Sequence, residues 1–166
     1  MPEWASTLVI VVVTLLIFFG MWRAWLGRTR RDAGLVPVTA TPAELGPTVA
    51  SARVLYVATT EQGRPLERLA IRGLGFRAHG VLAVHASGAA VSLDGSEDVW
   101  IQASDLIAAR PAQVAIDKVV EKDGLLCLSW RIGVTPVDSY FRVLEPERSG
   151  SLYDAIDSLT SAESEI

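Results

Sequence analysis

No charged side chain occurs between Trp4 and Trp22, and the centre of that run reads Leu8-Val9-Ile10-Val11-Val12-Val13-Thr14-Leu15-Leu16-Ile17-Phe18-Phe19. At ~1.5 Å per residue a helix of this length reaches about 28 Å, close to the ~30 Å hydrocarbon thickness of a bilayer. β-branched residues are weak helix formers in water. In lipid, however, every backbone polar group must be satisfied inside the segment, so a lone spanning segment has to be helical. Trp4 stands at one end, and Trp22 and Trp25 at the other, where amphipathic rings favour the headgroup region. The run therefore predicts a transmembrane anchor over residues 1–31, with the span at about 4–22.

A cleaved export signal would place basic residues before the apolar run. Here the chain opens Met-Pro-Glu-Trp, and the basic cluster Arg23, Arg28, Arg30 and Arg31 follows the run instead. The Arg30-Arg31 pair is on the wrong side of the apolar segment for a twin-arginine signal. Arginines keep their end of a span in the cytoplasm, so the expected topology at the cell membrane is N-terminus outside and the remainder inside. Near an acidic leaflet the same arginines gain ~1 kcal/mol each, a second role beside topology. Gly20 and Ala24 form one small-xxx-small pair compatible with close helix pairing.

Charge divides at the same place. Residues 1–34 carry four arginines and two acids, whereas residues 35–166 carry 11 basic and 17 acidic groups, a net −6. That balance argues against nucleic-acid binding, and a single cysteine, Cys127, excludes an internal disulfide framework. Residues 32–50 contain three prolines and two glycines, which predicts a linker. Within it Thr41-Pro42-Ala43-Glu44 has a capping-box pattern sufficient for one helical turn.

Strand signals fill residues 51–160. Arg53–Thr60 is rich in β-branched and aromatic residues. Leu66–Phe76 alternates, with Leu69 and Ile71 on one face and Arg68 and Arg72 on the other. Gly80–Ala86 and Ala89–Leu93 flank Ser87-Gly88, and Val99–Ala103 carries Trp100. Gln113–Glu121 and Leu125–Ile132 flank Lys122-Asp123-Gly124, a strong hairpin signal because Asp-Gly adopts positive φ readily. Tyr140–Leu144 reads as one more strand. Leu152, Ile156 and Leu159 then fall at i, i+4 and i+7, an amphipathic helix with Ser151 as its expected N-cap. Residues 161–166 read as a disordered acidic tail.

A single span followed by seven or eight short antiparallel strands and one amphipathic helix resembles the pleckstrin-homology-like (PH-like) fold. In particular it resembles the small PH-like domains that follow one membrane span in uncharacterised actinobacterial membrane proteins. The resemblance covers most of residues 50–160 and implies an open barrel of about seven strands closed by the C-terminal helix. The arginine-rich, lysine-poor usage, 13 against 2, and the absence of asparagine are of the kind seen in GC-rich genomes. Phosphoinositide-binding PH domains place a lysine and an arginine-x-arginine pair around their first hairpin. This chain has Arg64, Arg68, Arg72 and Arg77 there without that motif, so those four are read as a partner or lipid surface and phosphoinositide binding is not carried over.

Other candidate sites each have a structural reading. Gly73-Leu74-Gly75-Phe76-Arg77-Ala78 fits a dinucleotide fingerprint only if a helix follows, and a strand is expected instead. His79 and His85 match no zinc spacing, and Asp94, Glu97 and Asp98 lack the order of a calcium loop. Cys127 reads as a partly buried thiol, and Trp100 and Trp130 as core or half-buried strand residues. No cofactor, metal or catalytic set is therefore expected. The expected function is a membrane-anchored, non-enzymatic binding or scaffold module that recruits a protein partner. The alternative is an accessory subunit of a larger membrane complex of transport or export type. A domain of net −6 is repelled by anionic lipid, which favours the protein partner.

Overall fold

The computed structural model describes residues 3–32, 35, 37, 45–64, 66–112, 114–115, 118–119 and 124–163. The chain divides into two compact units, Met1–Gly34 and Leu35–Ile166. The first is one helix, α1, Glu3–Asp32. Its window Thr7–Ala24 has a mean hydropathy of 2.2 and none of it is buried, so it is long and apolar enough to cross a membrane. Thr14 donates its hydroxyl to the Ile10 carbonyl at 2.8 Å, removing the one polar side chain near the centre of the run from its surroundings.

The second unit is a seven-stranded antiparallel sheet with a C-terminal helix. Its strands are β1 (Thr48–Glu61), β2 (Ala78–His85), β3 (Gly88–Leu93), β4 (Val99–Gln102), β5 (Leu106–Ala112), β6 (Leu125–Ile132) and β7 (Thr135–Val143). Their order is β4-β3-β2-β1-β7-β6-β5. β1 is the spine: its first part pairs β2 from Thr48 to Tyr56, and its second pairs β7 from Val54 to Glu61. One long strand thus belongs to both halves of a strongly bent sheet. Helix α2, Ser149–Glu163, packs against β5, β1, β2 and the 3₁₀ turn Ala103–Asp105. Leu152 and Ile156 are fully buried in the main core and Leu159 packs against it, as their spacing requires.

Several expectations are corrected here. The segment read as a linker contributes to the domain: Leu35 packs against the main core, Pro37 is buried, and residues 48–50 open β1. The capping-box turn at 41–44 lies outside the described residues. Leu66–Phe76 is not a strand. It touches β1 through a single bridge, Thr60 to Arg68, then turns at Gly73 with φ +81°. A Cβ there would meet Val99 Cγ2 at 2.7 Å, so the turn and the close approach both require glycine. The strand Leu106–Ala112 is absent from the sequence reading, because Arg110-Pro111 masks its pattern. It takes the place beside β6 expected of Gln113–Glu121, whose described residues pair only as Val114 with Val119 and Ala115 with Lys118. Lys122 and Asp123 lie outside the described residues. α2 starts at Ser149, so Ser151 is inside it and donates to the Arg148 carbonyl at 2.8 Å rather than capping. It also runs on through Ser161–Glu163, since Thr160-Ser161-Ala162 contains no breaker to stop it.

Candidate functional site

The end of the sheet where β1 finishes gathers most of the residues singled out by sequence. The backbone N–H of Gln62 donates to the Pro136 carbonyl at 3.1 Å, which sets the β1–β2 connection beside the β6–β7 turn. Arg72 pairs with Glu97 at 2.9 Å, which ties the same connection to the β3–β4 turn. Leu69, Ile71 and Leu74 dip from this connection into the main core and close the end of the barrel. On either side of them the chain exposes Leu66 and Phe76, at 72% and 85%.

The four arginines of the first connection do not form one basic cluster. Arg64 lies 3.8 Å from Glu61 and 3.4 Å from Glu67, and Arg72 is engaged by Glu97. Exposed pairs of this kind are worth well under ~1 kcal/mol, but they neutralise the charge an anion would read. Among the described residues Arg68 and Arg77 have no carboxylate partner, and both are exposed. Of the anchor arginines, Arg23 is exposed and Arg28, Arg30 and Arg31 continue along α1.

What holds this end together is a buried hydroxyl relay invisible in the sequence. A bulge between Tyr56 and Ala58 shifts the alternation of β1, so Tyr56 and Thr59, three apart, both face the core. Trp130 Nε1 donates to Ser139 Oγ at 2.9 Å, Ser139 and Thr59 share a 2.7 Å bond, and Tyr56 lies 3.0 Å from Thr59 and donates to the Leu74 carbonyl at 2.7 Å. Each hydroxyl can accept once and donate once, so the chain runs from indole N–H to backbone carbonyl. Burial pushes the Tyr56 phenol up to about 12, against a smaller opposing effect from Thr59 and the Arg68 guanidinium.

On the opposite face of β6 and β7, Asp138 accepts from Ser129 at 2.6 Å and from Arg110 at 2.7 Å. Cys127 and Tyr140 adjoin it, fully and almost fully buried. Burial and the Asp138 charge push the Cys127 thiol up, and burial pushes the Tyr140 phenol up. A thiol held protonated in this way is a poor nucleophile. Among the described residues the adjacent buried Thr60 hydroxyl makes no hydrogen bond of full geometry, its interaction being with the Tyr140 phenol, whose rise it opposes.

The remaining motifs resolve structurally. Ala78 begins β2 directly after the Gly73–Arg77 stretch, so no helix N-terminus meets the glycines. His79 is exposed. His85 places its ring 6.1 Å from Trp100 and its Nδ1 3.3 Å from the Gly46 carbonyl. Trp100 and Trp130 are buried, and among the described residues no cluster of His, Cys, Asp or Glu could hold a metal.

A bent seven-stranded antiparallel sheet with one end covered by a C-terminal helix defines a PH-like domain. A family model described as bacterial PH domain-like matches residues 35–157, and the chain belongs to that family. The match starts where the second compact unit starts. No curated protein matches the chain.

Proposed function

We propose that this chain is a single-pass protein of the cell membrane, oriented with its N-terminus outside, whose cytoplasmic PH-like domain recruits a protein partner at the inner surface. The carrying observation is the pairing of a wholly exposed apolar window, Thr7–Ala24, with a unit that has its own complete core. An exposed apolar face of that size is stable only against lipid or protein. Its flanking Arg23, Arg28, Arg30 and Arg31 support the orientation. A binding role rather than catalysis is supported by the bonding of the chemistry-bearing groups: Tyr56, Ser139 and Asp138 are all engaged in bonds that hold strands and loops.

The full chain should remain in the membrane pellet after alkaline carbonate extraction. A cysteine introduced at exposed Val134 should resist membrane-impermeant maleimide in intact cells and react after lysis. Release by carbonate overturns the anchor, and labelling in intact cells overturns the orientation. Co-purification at fixed stoichiometry with a multi-subunit membrane complex would replace recruitment by the accessory-subunit reading.

A further inference from the structure

The end of the barrel away from the β1–β2 connection is built differently. β6 starts there at Leu125 and β7 finishes there at Val143, while the turn that joins them, at Gly133, is at the opposite end. Past Val143 the chain turns through Pro146–Arg148 into α2, which begins at Ser149. Between these strand ends and the start of α2 is an open cleft of about 560 Å³. That size is within the ~300–1,000 Å³ range of clefts that take a whole small molecule.

The walls of the cleft are mainly apolar: Leu125 and Leu126 of β6, Val143 of β7, Pro111 of β5, Pro146 and the Tyr153 ring. Half-buried Ser149 adds a hydroxyl. Among the described residues that line it Arg142 is the one charged side chain, and no Asp or Glu accompanies it. Arg142 is exposed and meets no carboxylate among the described residues. The acid nearest to it in sequence, Glu145, is taken up instead by Arg148 at 3.4 Å and by the Arg53 N–H at 3.3 Å.

We infer that this cleft binds a small carboxylic acid with an apolar body, its carboxylate on Arg142 and its body against Pro111, Val143, Pro146 and Tyr153. A guanidinium presents a planar fork that matches a carboxylate, and a single one matches a single negative charge. The apolar walls beside it gain from covering hydrocarbon in proportion to the area buried, which a compact inorganic anion cannot supply. A cationic ligand is repelled by Arg142, and a neutral one desolvates the guanidinium without giving it a partner. The inference goes beyond the recruitment reading and does not depend on it.

The test uses the full chain in phosphatidylcholine nanodiscs, with its three tyrosines as 3-fluorotyrosine and octanoate as the probe. Tyr153 lines the cleft, whereas Tyr56 is fully buried in the main core and serves as the internal reference. Octanoate should shift the Tyr153 fluorine signal saturably and leave that of Tyr56 in place. Octanamide has the same body without the charge, and acetate the charge without the body. Each should bind at least about tenfold more weakly. Arg142→Gln should weaken octanoate about tenfold and leave octanamide within about twofold, with an unmoved Tyr56 signal showing that the variant is folded. Arg77→Gln, at the other end of the barrel, should leave octanoate within about twofold. A Tyr153 signal that never shifts, or one that drifts without saturating, overturns the inference. So does octanamide or acetate binding as tightly as octanoate, an Arg142→Gln chain of undiminished affinity, or an equal loss with Arg77→Gln. An acetylated pentapeptide ending in a leucine carboxylate separates the two sources of such a group. Binding of the peptide with none of octanoate overturns the small acid in favour of a peptide terminus.

Discussion

On the inner face of β1, β6 and β7, Tyr56, Thr59, Ser139 and Trp130 hand hydrogen bonds from one to the next until they end on the Leu74 carbonyl. On the outer face of the same strands, Asp138 gathers Ser129 and Arg110, while among the described residues the Thr60 hydroxyl next to it makes no hydrogen bond of full geometry. The inner set is neutral and closed. The outer set contains a buried carboxylate whose guanidinium partner is half exposed, and a buried hydroxyl whose bonding is incomplete. Buried polar groups stabilise when every donor and acceptor is matched and cost free energy when one is left over. The two faces should therefore respond oppositely to loss of a hydroxyl.

The largest effect should come from Asp138→Ala, which strips Ser129 and Arg110 of their acceptor at once. Unfolding of the detergent-solubilised full chain should show a loss of about 2–4 kcal/mol, and a loss below about 1 kcal/mol would mean the outer set holds little together. Next comes Tyr56→Phe, which leaves Thr59 and the Leu74 carbonyl without the phenol, at about 1–2 kcal/mol. The folded-state value of about 12 is above the ordinary 10, so the contribution is whole below pH 10 and is lost as pH rises through 12. The wild-type chain should shed up to about 3 kcal/mol over that window, and Tyr56→Phe should flatten most of the decline. Equal alkaline sensitivity in both proteins would show that Tyr56 is not the titrating group. The smallest effect, with the opposite sign, is Thr60→Val. Deleting an unmatched buried hydroxyl should raise stability by up to about 1 kcal/mol, and destabilisation would reveal a partner for it.

Legibility in the sequence followed the reach of each interaction. The anchor could be read because nineteen uncharged residues are a purely local fact. The α2 stripe could be read because i, i+4, i+7 spacing is fixed by helix geometry, and Leu152 and Ile156 are buried as it requires. The strand Leu106–Ala112 went unseen because Pro111 weakens a strand pattern locally, while β6 supplies its pairing from across the fold. Leu66–Phe76 showed the reverse error. Its alternation correctly separated buried Leu69 and Ile71 from exposed Arg68 and Arg72, yet the backbone pairs at a single bridge and otherwise plugs the barrel end. Likewise Arg64, Arg68, Arg72 and Arg77 read as one surface because spacing records charge but not partners. Glu97, distant in sequence, engages Arg72, and Arg68 reaches the Tyr56 phenol.

The sequence by itself determined an apolar helix with a basic end, a mainly β domain and a closing amphipathic helix, because periodicity, hydropathy and charge runs are properties of neighbouring residues. Only the tertiary structure decided which polar groups are spent on one another and which stay exposed. The bulge beside Val57 turns Thr59 inward to join Tyr56 and Ser139, while Glu61 and Glu67 engage Arg64 and Glu97 engages Arg72. Those outcomes depend on strands meeting across eighty residues of chain, as Thr59 meets Ser139, and no local pattern encodes that meeting.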